Sequence, residues 1–113
     1  MSDCLFCRIA AGEIPSTPYY SDENVYAFAD IDPKAPFHAV VIPRAHIPSA
    51  AAVDSANSVA VARVFEAIAR IAAEQGLDNG FRVVTNAGED GGQTVPHLHF
   101  HLLGKRLLAW PPG

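Results

Sequence analysis

Three histidines alternate with apolar residues near the end of the chain, in the segment Pro96-His97-Leu98-His99-Phe100-His101-Leu102-Leu103. Side chains of a β-strand point alternately to opposite faces of a sheet, so a strand over 97–103 places the three imidazoles on one face. The other face then carries Leu98, Phe100 and Leu102, which point to the core. Because imidazole can serve as nucleophile, proton carrier or metal ligand near neutral pH, this strand is the first candidate for chemistry.

Three interpretations of this strand are open on the residues alone. The first is a solvated polar face, although such faces more commonly carry Thr, Lys and Glu. The second is a metal site, but a rise of about 3.4 Å per residue separates His97 from His101 by about 13 Å, so a straight strand offers one zinc ion two histidines and not three. The third is phosphoryl chemistry, because a neutral imidazole is a good nucleophile toward phosphorus, and its pKa of about 6.5 leaves it mostly neutral at pH 7.

A polar, glycine-rich loop over 87–94 leads directly into the histidines. Gly91 and Gly92 permit a tight backbone whose N–H groups can face an anion, and Gln93 and Thr94 add neutral hydrogen-bond donors. Taken alone, such a loop is more often a flexible connection. Joined to three histidines on one face, it favours phosphoryl chemistry.

Two cysteines, Cys4 and Cys7, lie three residues apart near the N-terminus. In a reducing compartment this spacing indicates a metal or redox pair before a disulfide. A structural zinc ion needs four nitrogen or sulfur ligands, so the two thiols supply half a site. Two buried thiols are the alternative, and a redox pair is disfavoured because no thioredoxin-like βαβ pattern surrounds the cysteines.

The chain as a whole has the size and composition of one globular domain, 1–113. Half of its 113 residues are hydrophobic, 18% are charged, and the formal net charge is −4. No basic stripe is present, which argues against nucleic acid as the main partner. No apolar run approaches the roughly 20 residues of a membrane span, and Met1-Ser2-Asp3-Cys4 does not begin a signal peptide, so we expect a cytoplasmic protein without a membrane partner.

Two helices are predicted from hydrophobic periodicity. The first is short, ends near Gly12, and places on one face Leu5, Phe6 and Ile9. The second runs from a cap at Asp54 or Ser55 to Gly76. Its predicted inner face consists of Val61, Phe65, Ile68 and Ile71 or Ala72.

Five strands are predicted over 19–21, 25–30, 37–42, 81–86 and 97–103, and residues 44–53 are predicted to form a surface loop. Alternating βαβ units are absent, and neither a Walker loop nor a G-x-G-x-x-G motif is present. The pattern therefore predicts an α+β fold with an antiparallel sheet.

Five separate segments resemble, in order and spacing, the histidine-triad (HIT) superfamily. The strongest is 93–103, in which Gln-Thr-Val-Pro precedes His-x-His-x-His and its apolar neighbours. Four others are similar to the Hint branch, the purine-nucleotide phosphoramidases: 27–38 (Ala-Phe-Ala-Asp-Ile-Asp-Pro-Lys-Ala-Pro-Phe-His), 41–44 (Val-Ile-Pro-Arg), 85–88 (Thr-Asn-Ala-Gly) and 110–113 (Trp-Pro-Pro-Gly). The resemblance covers essentially the full length.

This resemblance implies a fold and a reaction. The fold is a five-stranded antiparallel sheet with two helices, paired as a homodimer into a ten-stranded sheet. The reaction is hydrolysis of the P–N bond of purine nucleoside 5′-phosphoramidates, such as AMP joined to an amine, through a nucleotidyl-histidine intermediate that needs no cofactor. Transferase relatives carry Gln in place of the third histidine, so His101 favours hydrolysis.

The resemblance also implies a role for each matching residue. His99 is the nucleophile, His101 contacts the phosphate and assists proton transfer, and His38 orients the site from the neighbouring strand. Asp30 accepts hydrogen bonds from the ribose hydroxyls, and phosphate or leaving-group atoms are held by Asn86, Gln93 and Thr94. The base pocket is lined by Leu5, Phe6, Ile9, Phe28 and Ile31. Without the resemblance, Asp30 would be a turn residue, His38 a structural histidine and the apolar set part of the core.

Some bacterial relatives with the same cysteine pair complete a zinc site with a histidine after the Pro-Arg/Lys turn and with the first histidine of the triad. The resemblance therefore implies a structural zinc ion held by Cys4, Cys7, His46 and His97.

Two positions depart from the Hint branch: Lys105 stands where a second glycine is usual, and Pro96 where an aromatic residue is common. Lys105 adds a cation that could favour acidic substrates.

Three other functions compete with the phosphoramidase. They are a non-catalytic nucleotide-binding or interaction module, a zinc hydrolase that uses the triad as ligands, and a dinucleoside polyphosphate hydrolase. The intact His99 argues against the first, and the Hint-like C-terminal tail disfavours the third. Chelation separates the second, because a histidine nucleophile survives a chelator that leaves the fold intact and a zinc-activated water does not.

Overall fold

The computed structural model describes residues 3–113; Met1 and Ser2, which begin the N-terminus from which no signal peptide is predicted, lie outside the described residues. Two helices and five strands follow one another as α1 Leu5–Ala10, β1 Pro18–Ser21, β2 Val25–Ala29, β3 Phe37–Pro43, α2 Ser58–Glu74, β4 Phe81–Val84 and β5 Phe100–Gly104. The strands form one sheet in the order β1-β2-β3-β5-β4, and every neighbouring pair is antiparallel. The predicted α+β fold is therefore confirmed.

The sheet is covered on both faces, which is why every residue of β3 is buried. Helix α2 packs on one face against a core that includes Ala39, Val41, Phe100 and Leu102. The opposite face carries a second apolar cluster, which includes α1 and is formed by Phe6, Ile9, Phe28, Val40 and Ile42. His38 and His101 lie on this second face with Val40, and the rings of His97 and His99 contact the ring of Phe6 in α1.

Helix α2 begins later than predicted, at Ser58 rather than after Asp54 or Ser55. The Asp54 carboxylate accepts hydrogen bonds from the N–H groups of Ala56 and Asn57, so it caps a turn that precedes the helix. The predicted loop also contains a short 3₁₀ turn at Ala50–Ala52. The buried face of the helix consists of Val64, Ala67, Ile68, Ile71 and Ala72. Phe65, predicted to face inward, is 48% exposed, although its ring contacts that of Phe100 edge-on.

Strand β5 starts at Phe100, so the predicted strand over 97–103 is wrong in its first three residues. The N–H of Leu98 donates to the carbonyl oxygen of Ile47, and the N–H of His97 donates to that of Val95. Residues 97–99 are therefore held by loop contacts rather than by a strand ladder. The alternation of faces nevertheless continues through them, because Leu98 and Phe100 both belong to the core under α2. Strand β4 likewise ends at Val84, two residues before its predicted end.

Lys105 follows β5 directly and has a φ of 68°. This left-handed backbone costs a residue with a side chain about 1–2 kcal/mol, a penalty that glycine avoids. This backbone conformation explains why glycine is usual at this position in the Hint branch. Between residues 3 and 113, no helix is long and apolar enough to cross a membrane.

Candidate active site and metal cluster

His99 is buried and has one imidazole nitrogen fixed by the backbone. Its Nδ1 lies 2.7 Å from the carbonyl oxygen of His97. Because a carbonyl can only accept, Nδ1 carries the proton and Nε2 of the neutral ring keeps its lone pair. The Phe6 ring packs edge-on against the imidazole, with centroids 4.9 Å apart, and the Thr85 hydroxyl donates to the carbonyl oxygen of His99 at 2.7 Å. The arrangement leaves Nε2 as the nucleophilic atom of this residue.

His38 and His101 form a second fixed pair. The backbone N–H of Lys34 donates to Nδ1 of His38 at 3.0 Å, so the proton of neutral His38 lies on Nε2. That Nε2 is 2.9 Å from Nδ1 of His101, which accepts and leaves the His101 proton on its own Nε2. The ring centroid of His101 lies 5.2 Å from that of His99. A lone pair on His99 and an N–H donor on His101 are therefore set side by side.

The charge state of the pair is set by burial and by Asp30. Burial lowers the pKa of His38. Burial, together with the neighbouring His99 and His38, lowers the pKa of His101. Oδ2 of Asp30 lies 3.3 Å from Nε2 of His38 and 3.7 Å from Nδ1 of His101, and its negative charge acts to raise both pKa values. Both rings are consequently neutral at pH 7, with a carboxylate beside them that stabilises the protonated form.

The glycine-rich loop is closed by Gln93. Its Oε1 accepts from the N–H of Gly88 at 3.0 Å, and its Nε2 donates to the carbonyl oxygens of Pro48 and Val95. A Cβ on Gly91 would lie 2.5 Å from the carbonyl oxygen of Ala87, so only glycine fits this turn. Asn86 is half-buried and Thr94 exposed at the two ends of the loop.

His97 turns its ring toward the two cysteines. Its Nε2 lies 2.9 Å from the carbonyl oxygen of Pro43, so Nε2 carries the proton and Nδ1 presents a lone pair. That Nδ1 lies 3.4 Å from Sγ of Cys4, 3.5 Å from Sγ of Cys7 and 3.2 Å from Nδ1 of His46. The sequence prediction that these four residues come together is met, since their ligand atoms all lie within 4.8 Å of one another.

Four of the six pairs of donor atoms have the spacing of a tetrahedral metal site. Zinc bonds of 2.0–2.3 Å in tetrahedral geometry place neighbouring ligand atoms about 3.3–3.8 Å apart. Nδ1 of His46 also lies 3.4 Å from Sγ of Cys7, and the N–H of Cys7 donates to Sγ of Cys4. Burial lowers the pKa of His97, which keeps the ring in the neutral form that binds metal. The residues therefore fit zinc.

Residues 11–108 match the family model of the HIT domain, a span of nearly the whole chain. This chain belongs to the HIT family. It is similar to a 14 kDa zinc-binding protein of Brassica juncea, with 39% identity over 98% of this chain and 100% of that protein.

Solved HIT structures have the same fold. A HIT family hydrolase from Legionella pneumophila is 45% identical with a TM-score of 0.95, covering 98% of this chain and 100% of that one. A histidine triad nucleotide-binding protein from Candida albicans is 29% identical with a TM-score of 0.85, covering 96% of this chain and 83% of that one. This HIT protein thus shares its fold with a hydrolase and with a nucleotide-binding protein.

The residues predicted to line a base pocket are only partly brought together in the HIT chain. Phe6, Ile9 and Phe28 pack in one cluster, with the rings of Phe6 and Phe28 edge-on at 5.6 Å. Leu5 is 44% exposed and Ile31 fully exposed, so both lie outside that cluster. Three of the five predicted residues therefore belong to one buried apolar cluster, in which Phe6 contacts the ring of His99.

Sequence reasoning missed the groups that fix the imidazoles. The carbonyl oxygen of Pro43, the N–H of Lys34 and the hydroxyl of Thr85 each hold one histidine or its backbone. The first two are backbone atoms, which no residue pattern reveals. Thr85 lies beside Asn86 in one of the segments that resemble the Hint branch, which was the one available signal.

The charge of Asp30 is expected to set the titration of the His38–His101 pair in the HIT protein. Both imidazoles should titrate below the pKa of about 6.5 of an exposed histidine, because burial opposes their charge. Asp30→Asn should lower both midpoints further, since it removes the charge that favours protonation. Long-range ¹H–¹⁵N NMR spectra recorded against pH measure this, with Asp78→Asn at an exposed position as the matched control. Midpoints unchanged by Asp30→Asn would contradict the electrostatic account.

Proposed function

We propose that this HIT protein hydrolyses the P–N bond of purine nucleoside 5′-phosphoramidates through a nucleotidyl-histidine intermediate on His99. The observation that carries the proposal is the hydrogen bond from His99 Nδ1 to the carbonyl oxygen of His97, which leaves the Nε2 lone pair as a nucleophile. An N–H donor on His101 beside it supplies the second group that phosphoryl transfer needs. The hydrolase and nucleotide-binding neighbours support the same reaction class.

The nucleotide would bind on the face of the sheet next to α1. The purine would pack on Phe6, Ile9 and Phe28, with exposed Leu5 and Ile31 bordering the opening. Asp30, at the end of β2, would accept from the ribose hydroxyls. Phosphate oxygens would be held by Asn86 and Thr94, with Gln93 acting through the loop that it closes.

In the first step, Nε2 of His99 attacks phosphorus, a P–N bond to the imidazole forms, and the P–N bond to the amine breaks. The departing amine needs a proton, and protonated His101 donates it from Nε2 and becomes neutral. The anionic phosphoryl group favours that protonated form when substrate is bound. Asp30 Oδ2 is placed to accept from Nε2 of His38 and Nδ1 of His101 once both nitrogens carry protons. Such positioned acid catalysis contributes about 10²–10⁴-fold in rate.

In the second step, water attacks phosphorus and the bond to His99 breaks. Neutral His101 accepts the proton of the water and returns to its protonated form, so protons balance over the cycle. His99 Nδ1–H stays bonded to the carbonyl oxygen of His97 in both steps. That contact stabilises the positive charge of the imidazole while it carries the nucleotidyl group.

The reaction is tested with adenosine 5′-phosphoramidate. AMP release should be rapid in the wild type and fall by about 10⁴-fold or more in His99→Ala, because the nucleophile is removed. His101→Ala should lose about 10²–10⁴-fold, because only proton transfer is lost. Chromatographic assay of AMP measures both.

AMP binding by isothermal titration calorimetry is the control for folding of the variants. Wild-type protein that is folded and binds AMP without any turnover would contradict the proposal and would support a non-catalytic nucleotide-binding module. Turnover unchanged in His99→Ala would contradict the assignment of the nucleophile.

We further propose that Cys4, Cys7, His46 and His97 hold a structural zinc ion. The convergent lone pairs and ligand spacing support it, and the Brassica juncea relative is named a zinc-binding protein. When bound, the ion would cross-link the start of α1 to the segment before β5. Four protein ligands leave no open coordination position for water, so the reaction would use His99 and not the metal.

Elemental analysis should find about one zinc per chain in the purified protein. His46→Ala and a Cys4→Ser/Cys7→Ser double variant should bind less zinc and have a lower free energy of unfolding, because a structural metal contributes to folding. His99→Ala, two residues from His97, is the matched histidine control and should retain the zinc. Metal-free protein with an unchanged free energy of unfolding would refute the site.

We also propose that the chain forms a homodimer whose two sheets join into ten strands. β4 forms one edge of the sheet described for residues 3–113, and large apolar side chains near it are exposed: Phe81, Leu107 and Trp110. An open edge with apolar surroundings is a template for pairing with a second chain.

Sedimentation equilibrium should give twice the 12.0 kDa chain mass, and Phe81→Asp should lower the measured mass toward that of one chain. A monomer at micromolar concentration would contradict this assembly.

A further inference from the structure

A cavity of about 290 Å³ opens beside His101 on the face of the sheet that carries the histidines. Its apolar lining comes from Val84 and Leu103 of the sheet and from Leu108 and Pro112 of the C-terminal segment. Its charged residues are all cations: Lys34, Arg82 and Arg106. A lining that combines apolar and cationic side chains fits a small molecule that has both a carbon skeleton and a negative charge.

The two arginines are fixed without losing their charge. Nη2 of Arg82 donates to the carbonyl oxygens of Leu108 and Ala109, at 3.1 and 3.0 Å. Nε and Nη2 of Arg106 donate to the carbonyl oxygen of Lys34, at 3.2 and 3.0 Å. Of the ion pairs formed within the described part of the chain, none involves either guanidinium. Neutral carbonyls thus orient both groups, and no carboxylate neutralises them.

Lys34 and Lys105 contribute less positive charge to this cavity than the arginines do. Nζ of Lys34 lies 2.6 Å from the Asp32 carboxylate, and both side chains are largely exposed. Lys105, the cation expected from the sequence to favour acidic substrates, lines a neighbouring cavity of about 680 Å³, which shares Arg82, Arg106 and Leu108 with the smaller cavity but does not include His101. The arginines therefore carry the positive charge of the smaller cavity.

The cavity and the residues proposed to hold the nucleotide meet at His38 and His101, both of which line the cavity. Residues proposed for the base and ribose come from α1 and from the end of β2, whereas Arg82, Val84 and Leu103 of the cavity lie on β4 and β5. In the strand order β1-β2-β3-β5-β4, the histidines stand between the two. A substrate whose phosphorus is at His99 and His101 would extend its amine across β5 into the cavity.

We propose that this cavity is a leaving-group subsite that selects amines carrying a carboxylate. The planar guanidinium binds a carboxylate through two parallel hydrogen bonds, which gives such a pair geometric specificity as well as charge. The inference rests on the proposed function and names the substrate class of that site. Arg82 and Arg106 would act on the leaving amine, and neither is among the residues proposed to hold the nucleotide.

Two matched substrates test the subsite: AMP joined through nitrogen to β-alanine, and AMP joined in the same way to β-alanine amide. They differ only in a carboxylate against a neutral carboxamide. The wild type should hydrolyse the carboxylate substrate with a kcat/KM about tenfold higher. The ratio of the two kcat/KM values cancels any common effect of a variant on folding or on the nucleophile.

Arg82→Gln and Arg106→Gln should bring that ratio close to one, because each removes a fixed positive charge. Arg82→Lys and Arg106→Lys should keep only part of the preference, because the positive charge remains while the two parallel hydrogen bonds of the guanidinium are lost. Lys105→Gln removes a cation outside the cavity, so it is the matched control and should keep the wild-type ratio.

The outcomes distinguish the subsite from the reaction. Equal kcat/KM for both substrates in the wild type, or a preference that persists in both glutamine variants, would overturn the subsite while the P–N hydrolysis stands. A preference lost in Lys105→Gln instead would assign the selection to the other cavity and overturn this one. Failure to hydrolyse either substrate, in protein that binds AMP, would overturn the proposed function and the subsite with it.

Discussion

The candidate zinc ligands and the active-site histidines both depend on the backbone and ring of His97. Its Nε2 donates to the carbonyl oxygen of Pro43, its Nδ1 faces the cysteines and His46, and its own carbonyl oxygen holds Nδ1 of His99. The hydrogen bond to Pro43 fixes which nitrogen of His97 can bind metal. The carbonyl oxygen of His97 fixes which nitrogen of His99 can attack. The residue that completes the proposed zinc site thereby also orients the proposed nucleophile.

Hydrogen bonds also fix the proton positions of the histidines on the neighbouring strands. The Lys34 N–H sets the tautomer of His38, which sets that of His101, so the site presents one lone pair and one donor without any need for rearrangement. Burial keeps the rings of His38 and His101 neutral, and Asp30 lies close enough to stabilise a proton when substrate brings its own negative charge. Preorganisation of this kind is the main source of catalytic stabilisation in proton and phosphoryl transfer.

The sequence was sufficient for the features that depend on periodicity and motif. Alternation placed Leu98 and Phe100 in the core opposite the histidines, and the resemblance brought Cys4 and Cys7 together with His46 and His97. Prediction from the sequence failed where contacts of backbone atoms determine the structure. Strand β5 starts late because Leu98 bonds to a loop carbonyl, and the arginine-lined cavity arises only when the C-terminal segment folds back over Arg82. Such contacts between distant segments leave no local pattern.

The stereochemical course at phosphorus tests the central claim, a covalent intermediate on His99, most directly. A P-chiral adenosine 5′-thiophosphoramidate would be hydrolysed in ¹⁸O-labelled water and the configuration of the product determined by ³¹P NMR. Each in-line displacement inverts phosphorus, so attack by His99 followed by attack by water predicts overall retention. Overall inversion would show a single displacement by water and contradict the intermediate.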